Sequence, residues 1–200
     1  MSQGVKPAVP PDKQTLRRQL RAQRRARAPE RDRGADAAAI AATASALLDT
    51  YALLDKYSGQ PCVAIYRSLP TEPPTEAVAE MLHARGLPVI VPEMRPDREL
   101  DWHELRADGT QGPGLGLEAI AAAQLILTPE LAVDHAGTRL GQGGGSYDRA
   151  LARRRPDAVL VAIVNDEEYA VWPLPCDAHD VRVHAVITPG TGLSPIPDPR

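Results

Sequence analysis

Short, continuous apolar segments alternate with helical segments along this chain of 200 residues. Strands of this kind are apolar on both faces and are typical of a parallel sheet buried between helices. The sequence therefore predicts an α/β protein with three layers, in which a mostly parallel sheet carries helices on both faces. The predicted strands are residues 62–66, 89–91, 100–105, 125–127, 159–164 and 185–188.

Helical periodicity and capping residues predict the elements between the strands. Asp12 is a suitable N-cap for the first helix, which we expect to end before Pro29. The ends of the chain are rich in proline, so we expect a disordered N-terminus at 1–11, one domain at 12–189 and a loose tail at 190–200. The predicted helices are residues 13–28, 35–56, 74–85 and 147–154.

The carboxyl ends of the predicted strands indicate where a ligand would bind. In open α/β sheets, ligands lie in the crevice outside these strand ends. The segments that follow the strands, and that we expect to form a binding site, are residues 66–72, 92–95, 129–147 and 165–180.

The charged residues are distributed unevenly. The net charge of the chain is −3, yet residues 13–33 hold nine basic and two acidic side chains. A basic segment of this kind either meets a phosphate-bearing partner or forms a solvated helix face. Nucleic-acid binding is not expected, because this segment contains no aromatic side chain and the rest of the chain is acidic.

Composition excludes several other classes of protein. Cys62 and Cys176 form no CxxC motif, so we expect two buried thiols in a reducing compartment rather than a disulfide or a zinc site. The sequence contains no apolar run of about 18 residues and no apolar segment of a secretory signal. We therefore expect a cytoplasmic protein without a membrane span.

A glycine-rich loop follows the strand at 125–127 and leads directly into a predicted helix. Gly141 and Gly143 to Gly145 place four glycines in five positions. Backbone N–H groups exposed before a helix bind anions such as phosphate, and Arg139 is able to add a bidentate contact. The loop matches neither the Walker A nor the dinucleotide-binding pattern, and its glycine content fits a plain flexible loop equally well. Asp148 either holds a divalent cation or simply favours the helix start.

The glycine-rich loop is similar to a known signature. The sequence Arg-Leu-Gly-x-Gly-x-Gly-x-Tyr-Asp-Arg at 139–149, preceded by a strand and Val133-Asp134, resembles that of the 5-formyltetrahydrofolate cyclo-ligase family. The order and spacing of other segments agree with this family over about residues 13–188. These segments are Lys13-x-x-Leu16-Arg17, Ile65-Tyr66 with Glu72 and Thr75, Gly86 with Val89 to Pro92, Leu174-Pro175, His179-Asp180, and Val186 to Thr188.

The resemblance implies an enzyme that converts 5-formyltetrahydrofolate and ATP to 5,10-methenyltetrahydrofolate, ADP and phosphate with Mg²⁺, and residues 12–189 would be its catalytic domain. Its partners would be these two small molecules, and we expect a monomer. In this chemistry, the formyl oxygen attacks the γ-phosphate, the neighbouring amine closes the ring, and phosphate leaves. Such a protein mainly positions its substrates and neutralises charge, with no nucleophilic Ser or Cys.

The resemblance also implies the roles of individual residues. The ATP-binding residues would be Lys13, Arg17, Arg139, Leu140, Gly141, Gln142, Gly143, Gly144, Gly145, Ser146 and Tyr147. The folate-binding residues would be Tyr66, Arg67, Glu72, Trp102 and the loop residues Gln142, Gly143, Gly144, Gly145 and Ser146. Asp148 and Asp180 would hold Mg²⁺. Tyr66 fits packing at a strand end equally well, and the other basic residues of the first helix, Arg18, Arg21, Arg24, Arg25 and Arg27, would remain a solvated face.

The sequence also departs from the family pattern. Gln142 and Ser146 replace aromatic or basic residues, His184 replaces a common Asp, and no proline follows Glu118, which makes a role for Glu118 doubtful. A relative that binds nucleotide or folate without turnover is one alternative, although the retained basic and acidic residues argue against it. Another enzyme with the same architecture, such as a sugar-phosphate isomerase or a CoA transferase, is not excluded by fold, but it would not explain the loop.

Overall fold

The computed structural model describes residues 12–50, 61–170, 172–177 and 180–197. The helices are α1 Lys13–Arg27, α2 Arg33–Thr50, α3 Glu76–Ala84 and α4 Ser146–Leu151, with 3-10 helices at Ala28–Glu30, Leu117–Ala122 and Asp166–Glu168. The strands are β1 Cys62–Ala64, β2 Val89–Met94, β3 Leu100–Leu105, β4 Gln111–Gly114, β5 Ala123–Pro129, β6 Ala132–Asp134, β7 Arg139–Leu140, β8 Val159–Ile163, β9 Tyr169–Ala170, β10 Ala185–Thr188 and β11 Gly192–Pro195. None of the helices in these ranges has the length and hydropathy needed to cross a membrane.

Eight strands form the main sheet in the order β11-β10-β8-β5-β1-β2-β3-β4. Neighbouring strands from β10 to β2 are parallel, whereas β11, β3 and β4 are antiparallel additions at the two edges. A second, smaller sheet has the order β7-β6-β9. The predicted α/β class with a mostly parallel sheet is therefore confirmed.

Alternate residues of the central strands enter two separate cores. Val63 and Val161 pack with side chains of α2 and α3 on one face of the main sheet. Ala64 and Ala162 face the other way and pack with Leu151 of α4 and with the 3-10 helix at 117–122. Successive side chains of a strand point to opposite faces of the sheet. Because these strands are apolar at both even and odd positions, both faces of the sheet must be covered by other elements. The predicted three layers follow from this pattern.

Helix α1 packs on the small sheet. It begins as expected at Asp12, whose carboxylate accepts two hydrogen bonds from backbone N–H groups of the first turn, at 2.9 and 3.0 Å. Leu16 and Leu20 lie on one face of α1 and pack with Leu131, which directly precedes β6, and with Leu140 of β7. This packing places the adjacent basic face of α1 beside the glycine-rich loop.

The structure corrects the prediction at the C-terminal end. Residues 192–195 form β11, which pairs with β10 in a hairpin from Thr188 to Gly192. The prediction of a loose tail from residue 190 is therefore wrong for this strand. A short strand that completes a sheet edge is stabilised by hydrogen bonds to its neighbour, so its own residues need no apolar run. The predicted disorder at 1–11 and the end of the second helix at 51–56 lie outside the described residues.

The two cysteines differ in their surroundings. Cys62 is buried in β1, as predicted, and burial raises the pKa of its thiol to about 11. Cys176 is exposed, so the prediction of two buried thiols is wrong for this residue. Both cysteines are free.

Candidate functional site

A cavity of about 620 Å³ lies at the carboxyl ends of β1, β2 and β5. Each of the four segments predicted to follow strands contributes to its wall. The predicted site residues that line it are Lys13, Arg17, Tyr66, Arg67, Glu72, Arg139, Gly141, Gln142, Gly143, Gly144, Gly145, Ser146, Tyr147, Asp148 and Asp180. Residues that the sequence analysis did not select also line it: Leu69, Pro92, Met94, Leu100, Pro129, Glu130 and Asp177.

Two predicted site residues lie away from the cavity. The side chain of Leu140 is buried against Leu16 of α1, so it supports the loop from behind. Trp102 is fully buried and packs with Ile120. It lies two residues farther along β3 than Leu100, which does line the cavity. The prediction that Trp102 forms an aromatic wall is therefore wrong, because the 3-10 helix at 117–122 covers that part of the strand.

The glycine-rich loop depends on backbone conformations that favour glycine. Gly143 has a φ of 96° and Gly145 a φ of 68°, both in the left-handed region. Arg17 approaches the loop closely, because a β-carbon on Gly143 would lie 3.3 Å from its guanidinium carbon. Its Nε also donates a hydrogen bond to the carbonyl oxygen of Gly141 at 3.0 Å. The glycines therefore allow helix α1 and the loop to meet at the cavity.

Arg139 is held by three contacts at the centre of the site. Its Nε donates to the carbonyl oxygen of Val181 at 2.7 Å, and its two terminal nitrogens contact Glu130 and Asp148. The side chains of Arg139 and Glu130 are 3% and 1% exposed, whereas that of Asp148 is 39% exposed. Burial opposes the charge of Arg139, but the two carboxylates outweigh this effect and raise its pKa. Arg139 is therefore a fixed cation in the cavity wall.

Lys13 lies between two carboxylates that also line the cavity. Its Nζ donates to Asp177 at 2.6 Å and to Asp180 at 2.8 Å. Burial lowers the pKa of the Lys13 ammonium, but the hydrogen bonds to both aspartates outweigh this effect and raise it. His184, which replaces an Asp common in the family, accepts a hydrogen bond from the backbone N–H of Leu160 at 2.9 Å. Asp177, rather than residue 184, accompanies Asp180 in this cluster.

Arg24 corrects the expectation that the remaining arginines of α1 form a solvated face. It is buried and makes a bidentate pair with Glu168, with N–O distances of 2.6 and 2.7 Å. A third nitrogen lies 3.9 Å from Glu72. The spacing of Leu16, Leu20 and Arg24 indicates this burial, since residues four apart share one helix face. Arg21 is half-buried and also has a partner in the cavity wall, because it donates to the side chain of Gln142 at 2.9 Å.

Glu72 and Tyr66 lie near this buried pair. Glu72 accepts a hydrogen bond from the backbone N–H of Leu69 at 3.0 Å. Burial raises the pKa of the Glu72 carboxyl group, against the opposing effects of this hydrogen bond and of Arg24. The Tyr66 hydroxyl donates to the carbonyl oxygen of Pro73 at 2.8 Å. Tyr66 therefore both lines the cavity and packs at the strand end, which were the two alternatives considered for it.

The cavity also has an apolar part. The side chains of Leu69 and Met94 are exposed although both are large and apolar. Together with three further residues they form the apolar wall, which consists of Leu69, Pro92, Met94, Leu100 and Pro129. Apolar walls combined with a few polar groups are typical of sites for small organic ligands. The cavity therefore suits a ligand that has an apolar ring system as well as charged groups.

The carboxylates of the cavity could contribute to a metal site only with help from a ligand. Asp148 already contacts Arg139, and both Asp177 and Asp180 contact Lys13. In the part of the chain that the structure describes, no group of three or more His, Cys, Asp or Glu side chains is arranged to hold a metal ion. Magnesium is commonly held by one or two carboxylates together with substrate phosphates and waters. The donor set fits such a shared cation rather than a preformed metal centre.

The fold and the cavity define an α/β protein with a glycine-rich loop and basic side chains at the carboxyl edge of a mostly parallel sheet, next to an apolar wall. A sequence model of the 5-formyltetrahydrofolate cyclo-ligase family matches residues 9–189. This chain belongs to that family of enzymes, as the resemblance of its glycine-rich loop predicted.

Named relatives and solved structures agree with this assignment. A 5-formyltetrahydrofolate cyclo-ligase from Mycolicibacterium smegmatis is 34% identical over 153 residues, which cover 69% of this chain and 78% of the relative. A protein of the same name from Escherichia coli strain K12 is 28% identical over 140 residues, covering 64% and 77%.

Two solved structures share the fold. The 5,10-methenyltetrahydrofolate synthetase of Aquifex aeolicus has a TM-score of 0.66 and 21% identity, with 94% of each chain covered. The synthetase of the same name from Mycoplasma pneumoniae has a TM-score of 0.62 and 18% identity, covering 88% of this chain and 98% of the other. These likenesses confirm the predicted architecture.

Proposed function

We propose that this protein converts 5-formyltetrahydrofolate and ATP to 5,10-methenyltetrahydrofolate, ADP and phosphate, with Mg²⁺. The observation that carries the proposal is the composition of one cavity, in which Lys13, Arg17, Arg139 and a glycine-rich loop share the wall with exposed apolar side chains. The basic side chains and the glycine-rich loop suit the phosphates of a triphosphate, and the apolar side chains suit the ring system of a folate. Membership of the family supports the same reaction.

The nucleotide would be bound by its phosphates. Arg17 and Arg139 would contact phosphate oxygens, and the backbone N–H groups of Gly143 to Gly145 would cradle them. Lys13 would add a third positive charge. Because Asp148 and Asp180 already accompany these cations, the arriving phosphates would share the cations with the two carboxylates.

The folate would occupy the apolar wall. Glu72 lies at this side of the cavity and has its carboxylate buried. A carboxylate is able to accept hydrogen bonds from two neighbouring N–H donors of a pterin ring. Leu69 and Met94, which are exposed, would be covered by the ring system.

The proposed chemistry consists of two bond exchanges. The formyl oxygen attacks the γ-phosphorus of ATP, and ADP leaves. The N10 amine then adds to the activated carbon and loses its proton, after which the carbon–oxygen bond breaks and phosphate is released. Arg17 and Arg139 would position the triphosphate in line with the formyl oxygen and neutralise the charge on the transferred group.

A magnesium ion would fit between the phosphates and the carboxylates of Asp148 and Asp180. When bound, it would supply charge neutralisation to the phosphate oxygens. The chain would contribute two acidic ligands, and the phosphates would supply further oxygen ligands. The cytoplasmic location and the monomeric state stay predictions of the sequence analysis.

The test is the appearance of the near-ultraviolet absorbance of 5,10-methenyltetrahydrofolate when the protein is mixed with 5-formyltetrahydrofolate, ATP and magnesium. We expect one ADP for each product molecule. Omission of ATP or addition of a chelator should abolish the signal. Arg139→Ala and Asp148→Ala should each remove most of it, whereas Glu118→Gln, which alters an exposed carboxylate outside the cavity, should retain it.

Two other outcomes would contradict the proposal in different ways. A folded protein that binds ATP but forms no product would be a non-catalytic relative. Failure to bind ATP at all, measured by isothermal titration calorimetry, would show that the glycine-rich loop does not receive a nucleotide.

A further inference from the structure

Glu130 is a buried carboxylate in the cavity wall that has no role in the proposed function. Its side chain is 1% exposed, and burial raises the pKa of its carboxyl group to about 7, although the nearby Arg139 opposes this effect. Burial of an ionisable group is unfavourable unless its interactions compensate for it. The interactions of Glu130 therefore indicate what it contributes.

Glu130 contacts three separate parts of the site. Its Oε1 accepts a hydrogen bond from a terminal nitrogen of Arg139 at 3.3 Å. Its backbone carbonyl oxygen accepts a hydrogen bond from Arg24 of helix α1. Its Oε2 lies 3.1 Å from the position that a β-carbon on Gly141 would occupy, so the carboxylate lies directly against the glycine-rich loop.

The contacts of Arg139 differ in their exposure. The bond to Glu130 is buried and the bond to the Val181 carbonyl is part-buried, whereas the side chain of Asp148 is 39% exposed. Two contacts through different nitrogens fix the plane of a guanidinium group. The N–H groups on the Asp148 side are therefore presented to the cavity at a constant position.

We propose that Glu130 is a positioning residue, which holds the Arg139 guanidinium and the glycine-rich loop at the separation that receives a phosphate-bearing ligand. It acts through Arg139 and does not contact the ligand. The inference rests on the proposed function for the identity of the ligand. The positioning of Arg139 and the loop would apply to any polyphosphate that enters the cavity.

The test uses inorganic tripolyphosphate, because its binding requires neither turnover nor a particular nucleoside. Isothermal titration calorimetry would compare the parent protein with Glu130→Leu, which keeps the size of the side chain and removes the acceptor. We expect about tenfold weaker binding, the effect of losing one hydrogen bond to a charged group. Glu130→Gln keeps an acceptor oxygen and should bind within about threefold of the parent protein.

A double-mutant cycle separates positioning from a general effect on the fold. Combined with Arg139→Ala, Glu130→Leu should weaken tripolyphosphate binding no further, because the residue through which it acts is absent. Glu118→Leu, a change of an exposed carboxylate outside the cavity, is the control. In turnover assays, Glu130→Leu should raise the KM for ATP and leave the KM for 5-formyltetrahydrofolate unchanged. Thermal unfolding would check that each variant folds.

Three results would overturn the inference: unchanged tripolyphosphate binding in Glu130→Leu, equal weakening with and without Arg139, or a parent protein that does not bind tripolyphosphate. If Glu130→Leu does not fold, Glu130→Asp, which shortens the side chain but keeps its charge, should show the same weakening. Glu130-dependent tripolyphosphate binding without formation of methenyltetrahydrofolate would contradict the proposed function and support the positioning role.

Discussion

Two hydrogen-bonded, buried Arg–Glu pairs within the described residues look alike in composition and differ in geometry. Arg24 and Glu168 form two short contacts of 2.6 and 2.7 Å, and neither side chain lines the cavity. Arg139 and Glu130 form one longer contact of 3.3 Å, and both line the cavity. The exposed Asp148 completes the second pair, whereas the first pair has the buried Glu72 beside it.

We interpret the first as a structural ion pair and propose that the second is a binding pair. The bidentate geometry of Arg24 and Glu168 joins α1 to the 3-10 helix at 166–168 and uses most of the donor capacity of the guanidinium on buried partners. Arg139 shares its donors with a carboxylate at the cavity surface, which an arriving anion is able to replace. On this proposal, similar residues serve folding in one place and recognition in another.

The variant with the largest expected effect removes one member of the structural pair. Arg24→Met should destabilise the protein by about 3–5 kcal/mol, because it leaves the carboxylate of Glu168 buried without its cation. Urea unfolding of the variant and the parent protein measures this difference. The double variant Arg24→Met with Glu168→Met should recover part of the lost stability, since it also removes the unpaired Glu168 carboxylate, although the buried Glu72 still loses its neighbouring cation. A double variant no more stable than Arg24→Met would contradict the structural interpretation.

The second prediction concerns a variant that removes one member of the proposed binding pair. Arg139→Ala should lower kcat/KM by about 100-fold or more, the range seen when one preorganised donor is removed from an active site. The loss of stability should be smaller than for Arg24→Met, because the Glu130 carboxyl, with its pKa of about 7, is able to take up a proton. Steady-state kinetics and urea unfolding on the same samples test both parts. Equal destabilisation by the two arginine variants would remove the distinction between the pairs.

The third prediction concerns pH and sharpens the role of Glu130. Burial raises the pKa of the Glu130 carboxyl group to about 7 in the folded protein. Between the ordinary pKa of a glutamate and pH 7, this group is therefore more protonated in the folded state than in the unfolded state. The contribution of Glu130 to stability is therefore greatest at low pH and falls as pH rises through this window, by at most about 1.4 kcal/mol per pH unit.

Urea unfolding of the parent protein and Glu130→Gln at pH 5.5 and 6.5 measures that contribution. From pH 5.5 to pH 6.5, the unfolding free energy of Glu130→Gln should rise relative to that of the parent protein. A constant difference would show that Glu130 does not titrate in this range.

The smallest expected effect on stability tests the contact between α1 and the glycine-rich loop. Gly143→Ala and Gly86→Ala should each cost about 1 kcal/mol, because both residues have a positive φ. Only Gly143→Ala should also raise the KM for ATP, since a β-carbon there meets Arg17, whereas nothing lies within 4 Å of one at Gly86. Kinetics on both variants provide the comparison. An equal change in KM would contradict a specific role for the loop.

Much of the fold was predictable because its signals are local. Each of the apolar segments of β1, β2, β5, β8 and β10 is a short continuous stretch, and the N-cap of α1 directly precedes that helix. Each segment shows its period and burial without reference to distant residues. The glycine-rich loop, with Arg139 and Asp148 beside it, is local in the same sense, and its resemblance to a family signature led to Lys13 and Arg17.

The partners of the buried charges were decided only by the tertiary structure. Arg24 and Glu168 are separated by 144 positions, and Lys13 and Asp177 by 164. No local pattern shows which carboxylate meets which cation, because that depends on how α1 and the two sheets pack together. Tertiary packing also buries Trp102 under a 3-10 helix and brings Glu130 against Gly141. The chain thus specifies its elements and its glycine-rich motif over short distances, whereas the partners of Lys13 and Arg24 arise from contacts between segments far apart in sequence.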